Sequence, residues 1–276
     1  MGGYRHTVIL QDLVLFINDS GKLSVGLVLE YHSKDLKKIM DMSDQIIIHE
    51  DHIVKVLYSL LCSLNFIHSA NILHRDLKPA NILFKSDCKI TLCDFGLSRT
   101  LNVTNDIKRE CDYNRSLISK YLQKDKPERK LRKRELSPHT VTRFYRPPEI
   151  ILLERQYDTS VDLWSTGVTM LEFLNCSSSS KQNGVQAKDR QPFMGKSCFP
   201  MSPKNKNTNE VGRSDQLKVI LNILGFLTDD EKTFLSFDKQ SKHLSECESN
   251  LDKIQFHLEF PEIDRGLLDA FSSLLQ

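Results

Sequence analysis

Apolar and polar positions change period several times along this chain. Residues 7–17 (TVILQDLVLFI) and 23–31 (LSVGLVLEY) are rich in aliphatic and aromatic residues and flank Asn18-Asp19-Ser20-Gly21-Lys22. Two such runs around a short polar stretch predict a β-hairpin. Residues 51–69 switch to steps of three and four, at Val54, Leu57, Leu61, Leu64 and Ile67, and predict a largely buried helix. Residues 81–84 and 89–92 predict short strands joined by Lys85-Ser86-Asp87-Cys88. Residues 158–174 predict a second buried helix. Residues 214–227 open on a Ser-Asp cap and set Leu217, Ile220, Leu221 and Leu224 on one face. Segment 228–260 reads as helical pieces, and 262–276 as a helix within which the chain stops. Residues 100–140, 175–191 and 192–209 read as polar loops, with 175–191 of low complexity. We find no internal repeat.

Composition adds little specificity but removes several classes. Of 276 residues, 39% are hydrophobic and 27% charged, a globular balance, and the formal net charge is +2. A chain this near neutrality is no obvious polyanion binder, so nucleic acid is not an expected partner. No apolar run reaches the roughly 18 residues of a spanning helix, and no membrane is expected. The start, MGGYRHTVIL, lacks a signal-peptide pattern, and His6 breaks the Met-Gly acylation motif. The seven cysteines are scattered without a Cys-x-x-Cys pair, which suits free thiols in cytoplasm or nucleus.

The chemistry-bearing pattern is His74-Arg75-Asp76-Leu77-Lys78-Pro79-Ala80-Asn81 followed by Asp94-Phe95-Gly96. Phosphoryl transfer needs positioning and charge neutralisation more than covalent chemistry. Asp76 fits the carboxylate that accepts a hydroxyl proton. Asn81 and Asp94 offer the hard oxygen donors that Mg2+ prefers.

These residues resemble the catalytic and magnesium loops of eukaryotic protein kinases. The resemblance implies an α+β, protein-kinase-like fold. Residues 1–35 would be a partial N-lobe of hairpin and hinge, and residues 36–276 a mainly helical C-lobe. The activation segment would span 94–149 and an insert about 175–225. ATP and Mg2+ are the implied cofactors. Glu30-Tyr31-His32 resembles the hinge that meets adenine, with Leu29 as gatekeeper, Asp35 as ribose contact, Leu83 as the apolar floor and Cys93 just before the magnesium loop. Lys78 marks Ser/Thr specificity and would touch the transferred phosphate. Asp162 is similar to the helix Asp that ties down the catalytic-loop backbone, and Pro147-Pro148-Glu149 to the family's Ala-Pro-Glu.

The stretch Val141–Glu149 resembles the mitogen-activated and cyclin-dependent subfamilies, where Arg146 accompanies substrates with proline after the phosphoacceptor. Gly195–Pro200 with Asp215-Gln216-Leu217 favours the mitogen-activated group. Implied partners are Ser/Thr-Pro protein substrates and an upstream kinase. Ser137 stands at the activating position, with Arg75 and Arg99 as its phosphate clamp and Thr142 beside Asp76 and Lys78.

Two departures qualify these expectations. The 29 residues before Glu30 contain no G-x-G-x-x-G, and Lys22 falls in a predicted turn. A chain truncated at both ends is therefore expected, without the first strands, the regulatory helix or the Arg that would pair with Glu149. Its hairpin should leave apolar surface uncovered. A non-catalytic, kinase-derived binding protein is the rival reading. The second departure is Lys124–Arg134, with seven basic residues among eleven. It reads as a solvated loop or as a nuclear-import or acidic-partner patch.

Overall fold

The computed structural model describes residues 6–17, 19, 21, 23–85, 87–101, 142–154, 158–182, 190–198, 200, 215–225, 227–229, 231–235, 238–247 and 256–275. Ser137 and the basic stretch 124–134 lie outside the described residues.

Strands β1 (Leu10–Ile17) and β2 (Leu23–Leu29) form the expected antiparallel hairpin. Gly21, at φ +74, supplies the left-handed backbone its turn requires. Leu13, Leu15 and Ile17 stand opposite Leu27, Val25 and Leu23 on one sheet face, and all six are at least half exposed. The chain just before β1 runs elsewhere: Val8 N donates to Leu92 O and Leu92 N to His6 O, both at 2.9 Å. His6 also touches Ser63 Oγ at 3.3 Å.

Strand β3 (Lys34–Asp35) leads into α1 (Leu36–Asp41), whose N-cap is Asp35. Helix α2 (Glu50–Ser69) buries Ile53, Val56, Leu57, Leu60, Leu64 and Ile67. The apolar stripe read from the sequence was misaligned at its start, since Val54 is 46% exposed. The helix has apolar groups on both sides, and periodicity alone did not distinguish the side that packs.

After β4 (Ile72–Leu73), strands β5 (Ile82–Phe84) and β6 (Ile90–Leu92) extend β3 into a three-stranded antiparallel sheet. β4 pairs with β7 (Arg99–Thr100), so two short ladders bracket the loops between them.

Helix α3 (Pro148–Ile151) precedes α4 (Ser160–Leu174), which is buried on nearly all sides and packs against α2. The serine run that follows is not plain linker. Ser178–Gln182 form α5, Ser180 Oγ donates to Leu174 O at 2.9 Å, and Ser178 N donates to Ile48 O at 3.0 Å. Hydroxyls thus take up carbonyls at the end of α4 that the helix leaves open.

Helix α6 (Gln216–Leu224) is capped by Asp215, whose carboxylate accepts Leu217 N. Gly195 lies so close to it that an added Cβ would fall 2.5 Å from Gln216 Cα. Helices α7 (Asp238–Cys247) and α9 (Arg265–Leu274) complete the core, with α9 against α4, and the short α8 (Phe256–Glu259) lies beside α9 with His257, Leu258 and Glu259 exposed. Among the described residues no helix is long and apolar enough to cross a membrane.

Candidate active site

The loop between β4 and β5 is held from below. Asp162, on the first turn of α4, is fully buried. Its Oδ1 accepts Arg75 N at 2.8 Å, and its Oδ2 accepts His74 N at 2.9 Å and His68 Nε2 at 2.8 Å. Arg75 has a left-handed backbone, φ 66, which costs a non-glycine residue about 1–2 kcal/mol. The carboxylate holds that conformation. His74 joins the two functional loops: its Nε2 donates to Cys93 O at 2.9 Å and its ring meets Phe95 at 5.0 Å. His68, near the end of α2, shares this anchor.

Above the anchor, four side chains converge. Lys78 Nζ donates to Asp76 Oδ2 at 2.6 Å and to Thr142 Oγ1 at 3.2 Å. Thr142 Oγ1 donates to Asp76 Oδ1 at 3.2 Å, and Thr142 N donates to the same oxygen at 3.3 Å. Asn81 Nδ2 donates to Asp76 O at 2.8 Å and to Asp76 Oδ2 at 3.2 Å. Asp76 is buried at its base while Lys78 reaches solvent. A carboxylate held by a cation and beside a hydroxyl is arranged to accept a proton from that hydroxyl.

Asp94 occupies the left-handed region at φ 64, ψ 69, with its carboxylate accepting Gly96 N. Such strain in a polar loop is a mark of functional sites. Asn81 spends its amide nitrogen on Asp76, which leaves Oδ1 as the atom that could hold a metal; Asp94 is an exposed carboxylate. These donors fit magnesium, which takes few protein oxygens and completes its shell with water and phosphate. Among the described residues no cluster of three His, Cys, Asp or Glu could hold a metal ion.

Leu83 in β5 faces Asp35 across the ladder. Burial, then the charges of Asp94 and Asp35, push the Cys93 thiol up to about 11, with Lys78 opposing. Asp35 accepts Lys38 N at 2.8 Å and caps α1. The His32 side chain is buried, 3.6 Å from Glu30. Leu29 is 42% exposed at the end of β2.

Arg75 Nε donates to Leu97 O at 2.6 Å, and Arg99 is exposed on β7 opposite Leu73. Arg146 is buried, with Nη1 3.6 Å from Cys198 Sγ. Burial raises the Glu149 carboxyl to about 7, and Asp158 and Glu154 push the same way against its backbone hydrogen bond. Glu149 has no cation at ion-pair distance among the described residues.

The fold and this loop arrangement define the class. Residues 3–244 match the protein kinase domain, and the chain belongs to that family. Among curated relatives, mitogen-activated protein kinase 2 of Arabidopsis thaliana is 30% identical over 242 residues, 87% of this chain and 49% of the relative. Mitogen-activated protein kinase homolog NTF3 of Nicotiana tabacum matches to the same extent. Mitogen-activated protein kinase 13 of A. thaliana is 29% identical over 251 residues, 91% of this chain and 53% of the relative. The chain thus spans about half the length of the curated relatives it matches.

Proposed function

We propose that this chain is the catalytic part of a serine/threonine kinase of the mitogen-activated type, moving the ATP γ-phosphate to Ser or Thr followed by proline. The observation that carries the reading is the Asp76–Lys78–Thr142 constellation, with a hydroxyl already bonded to the carboxylate. In the transfer, the substrate oxygen bonds the γ-phosphorus as the bond to ADP breaks, and the proton passes to Asp76. Lys78 neutralises charge beside that carboxylate. Magnesium, held by Asn81 and Asp94, would screen the phosphate oxygens. Glu30 and His32 would meet adenine through their backbone, with Leu29, Leu83 and Cys93 lining the pocket and Asp35 at the ribose. The division into residues 1–35 and 36–276 belongs to this reading, as do regulation at Ser137 through Arg75 and Arg99 and the proline preference assigned to Arg146.

The rival, a non-catalytic binding protein, is favoured by the uncovered apolar face of the hairpin. Radiolabel transfer from ATP to a Ser/Thr-Pro peptide separates the two. Asp76→Asn and Asp94→Asn should each cut the rate by at least about 100-fold, with circular dichroism unchanged. Wild-type rates from both variants would overturn the assignment, and absence of transfer by the unaltered chain would favour the rival.

A further inference from the structure

Arg190 belongs to a segment that no part of the active-site description uses, yet its side chain reaches a distant element. Nη1 donates to Met40 O, and Nη2 lies 3.3 Å from Asp41 Oδ1. Both acceptors sit at the C-terminal end of α1, where a cation also meets the negative end of the helix dipole. Lys37 holds the other oxygen of Asp41 at 3.2 Å. Asn175, at the end of α4, donates to Arg190 O at 2.9 Å and pins the backbone.

The neighbouring residue continues the chain of contacts. Gln191 Nε2 donates to Glu172 Oε2 at 3.3 Å, and Tyr145 OH donates to the same oxygen at 2.6 Å. Tyr145 ends a single turn of 3-10 helix (Arg143–Tyr145) whose N-cap is Thr142, the residue bonded to Asp76. At the opposite end, α1 is capped by Asp35, the proposed ribose contact.

We propose that Arg190 is a positioning residue that couples α1 to the Thr142–Tyr145 turn, so that the nucleotide side and the substrate side of the cleft are held as one body. The catalytic meaning of the two sides rests on the kinase reading; the mechanical coupling does not. Three physical features support the coupling. The bonds from Arg190 to Met40 O, from Gln191 to Glu172 and from Tyr145 to Glu172 are part-buried, where such contacts are stronger than in water. A guanidinium can serve a carbonyl and a carboxylate together, which a lysine ammonium does less well. Burial raises the Glu172 pKa, while Tyr145, Lys37 and Arg190 oppose that rise and Asp41 adds to it. Removing the guanidinium therefore favours protonation of Glu172 and weakens its hold on Tyr145.

The test is hydrogen exchange by mass spectrometry on the full chain, comparing wild type with Arg190→Ala and Arg190→Lys. Arg190→Ala should speed exchange about tenfold in both 35–41 and 142–147, the equivalent of one charge-assisted hydrogen bond. Helix α9 should be unchanged, and Arg190→Lys should fall between. Faster exchange in 35–41 with 142–147 at the wild-type rate would reduce Arg190 to a local staple of α1 and overturn the coupling. Equal acceleration in α9 would mean general destabilisation and also overturn it. If Arg190→Ala fails to fold, Arg190→Lys decides by the same criterion, two segments faster or only one. Peptide phosphorylation is measured alongside. Inactivity of the wild type would strike the kinase reading and leave the exchange result standing. In active enzyme KM for ATP and for peptide should rise together, and a rise in one alone would overturn the proposal.

Discussion

The buried anchor under the catalytic loop gives the sharpest stability prediction. In Asp162→Ala, two backbone donors, His74 N and Arg75 N, lose the carboxylate that accepts them at 2.9 and 2.8 Å. Each buried donor left unsatisfied costs about 1–3 kcal/mol, so the pair amounts to about 2–6 kcal/mol. His68 loses the same partner but is 14% exposed at its side chain, and water can replace part of that bond. Relief of burying a charge offsets some of the loss. Against the roughly 5–15 kcal/mol that holds a typical domain, the change is large. Asp162→Asn keeps an acceptor for Arg75 N but turns an N–H2 toward the point where two donors meet, so it should lie between wild type and Ala. Urea unfolding should give midpoints in the order wild type, Asn, Ala. Amides of residues 74 and 75 should exchange faster, as Arg75 is no longer held at positive φ. An Ala variant within about 0.5 kcal/mol of wild type, the range of an ordinary surface substitution, would refute this account of how the loop is held.

Three further expectations follow from packing and charge. The folded chain binds a proton at Glu149 more tightly than the unfolded chain does, with a pKa of about 7 against an ordinary 4.5. Its contribution to stability is full below the ordinary value and is lost as pH rises toward 7, so Glu149→Gln should flatten the decline in melting temperature over that range; an unaltered slope would count against it. Leu15→Lys with Leu27→Lys places two charges diagonally on the exposed hairpin face. It should lower self-association in sedimentation velocity while changing stability by no more than about 0.5 kcal/mol, and unchanged association would exclude this face as its cause. Gly195→Ala puts a methyl against the backbone of Gln216 and should cost about 1–3 kcal/mol in urea unfolding; a neutral result would mean that segment 190–198 yields freely.

The linear sequence carried a great deal here because its strongest signals are local. The hairpin, α2, α4 and α6 were legible from short-range periodicity and caps; Asp76, Asn81 and Asp94 were candidates from their residue types and spacing on two adjacent loops, and Lys78 from the family resemblance. Hydrophobic periodicity reports only that a face is apolar, and so it did not show that Val54 lies outside while Ile53 and Leu60 pack inward. Composition failed for the serine run, because hydroxyls that look like linker from their neighbours become helix-end partners once α4 and Ile48 are brought to them. The path from Met40 through Arg190 and Glu172 to Tyr145 joins residues up to 150 positions apart. Such contacts leave no short-range spacing to read. Only the packing of α1, α4 and the 190–198 segment decides which charges are buried together, and burial is what makes those bonds strong enough to matter.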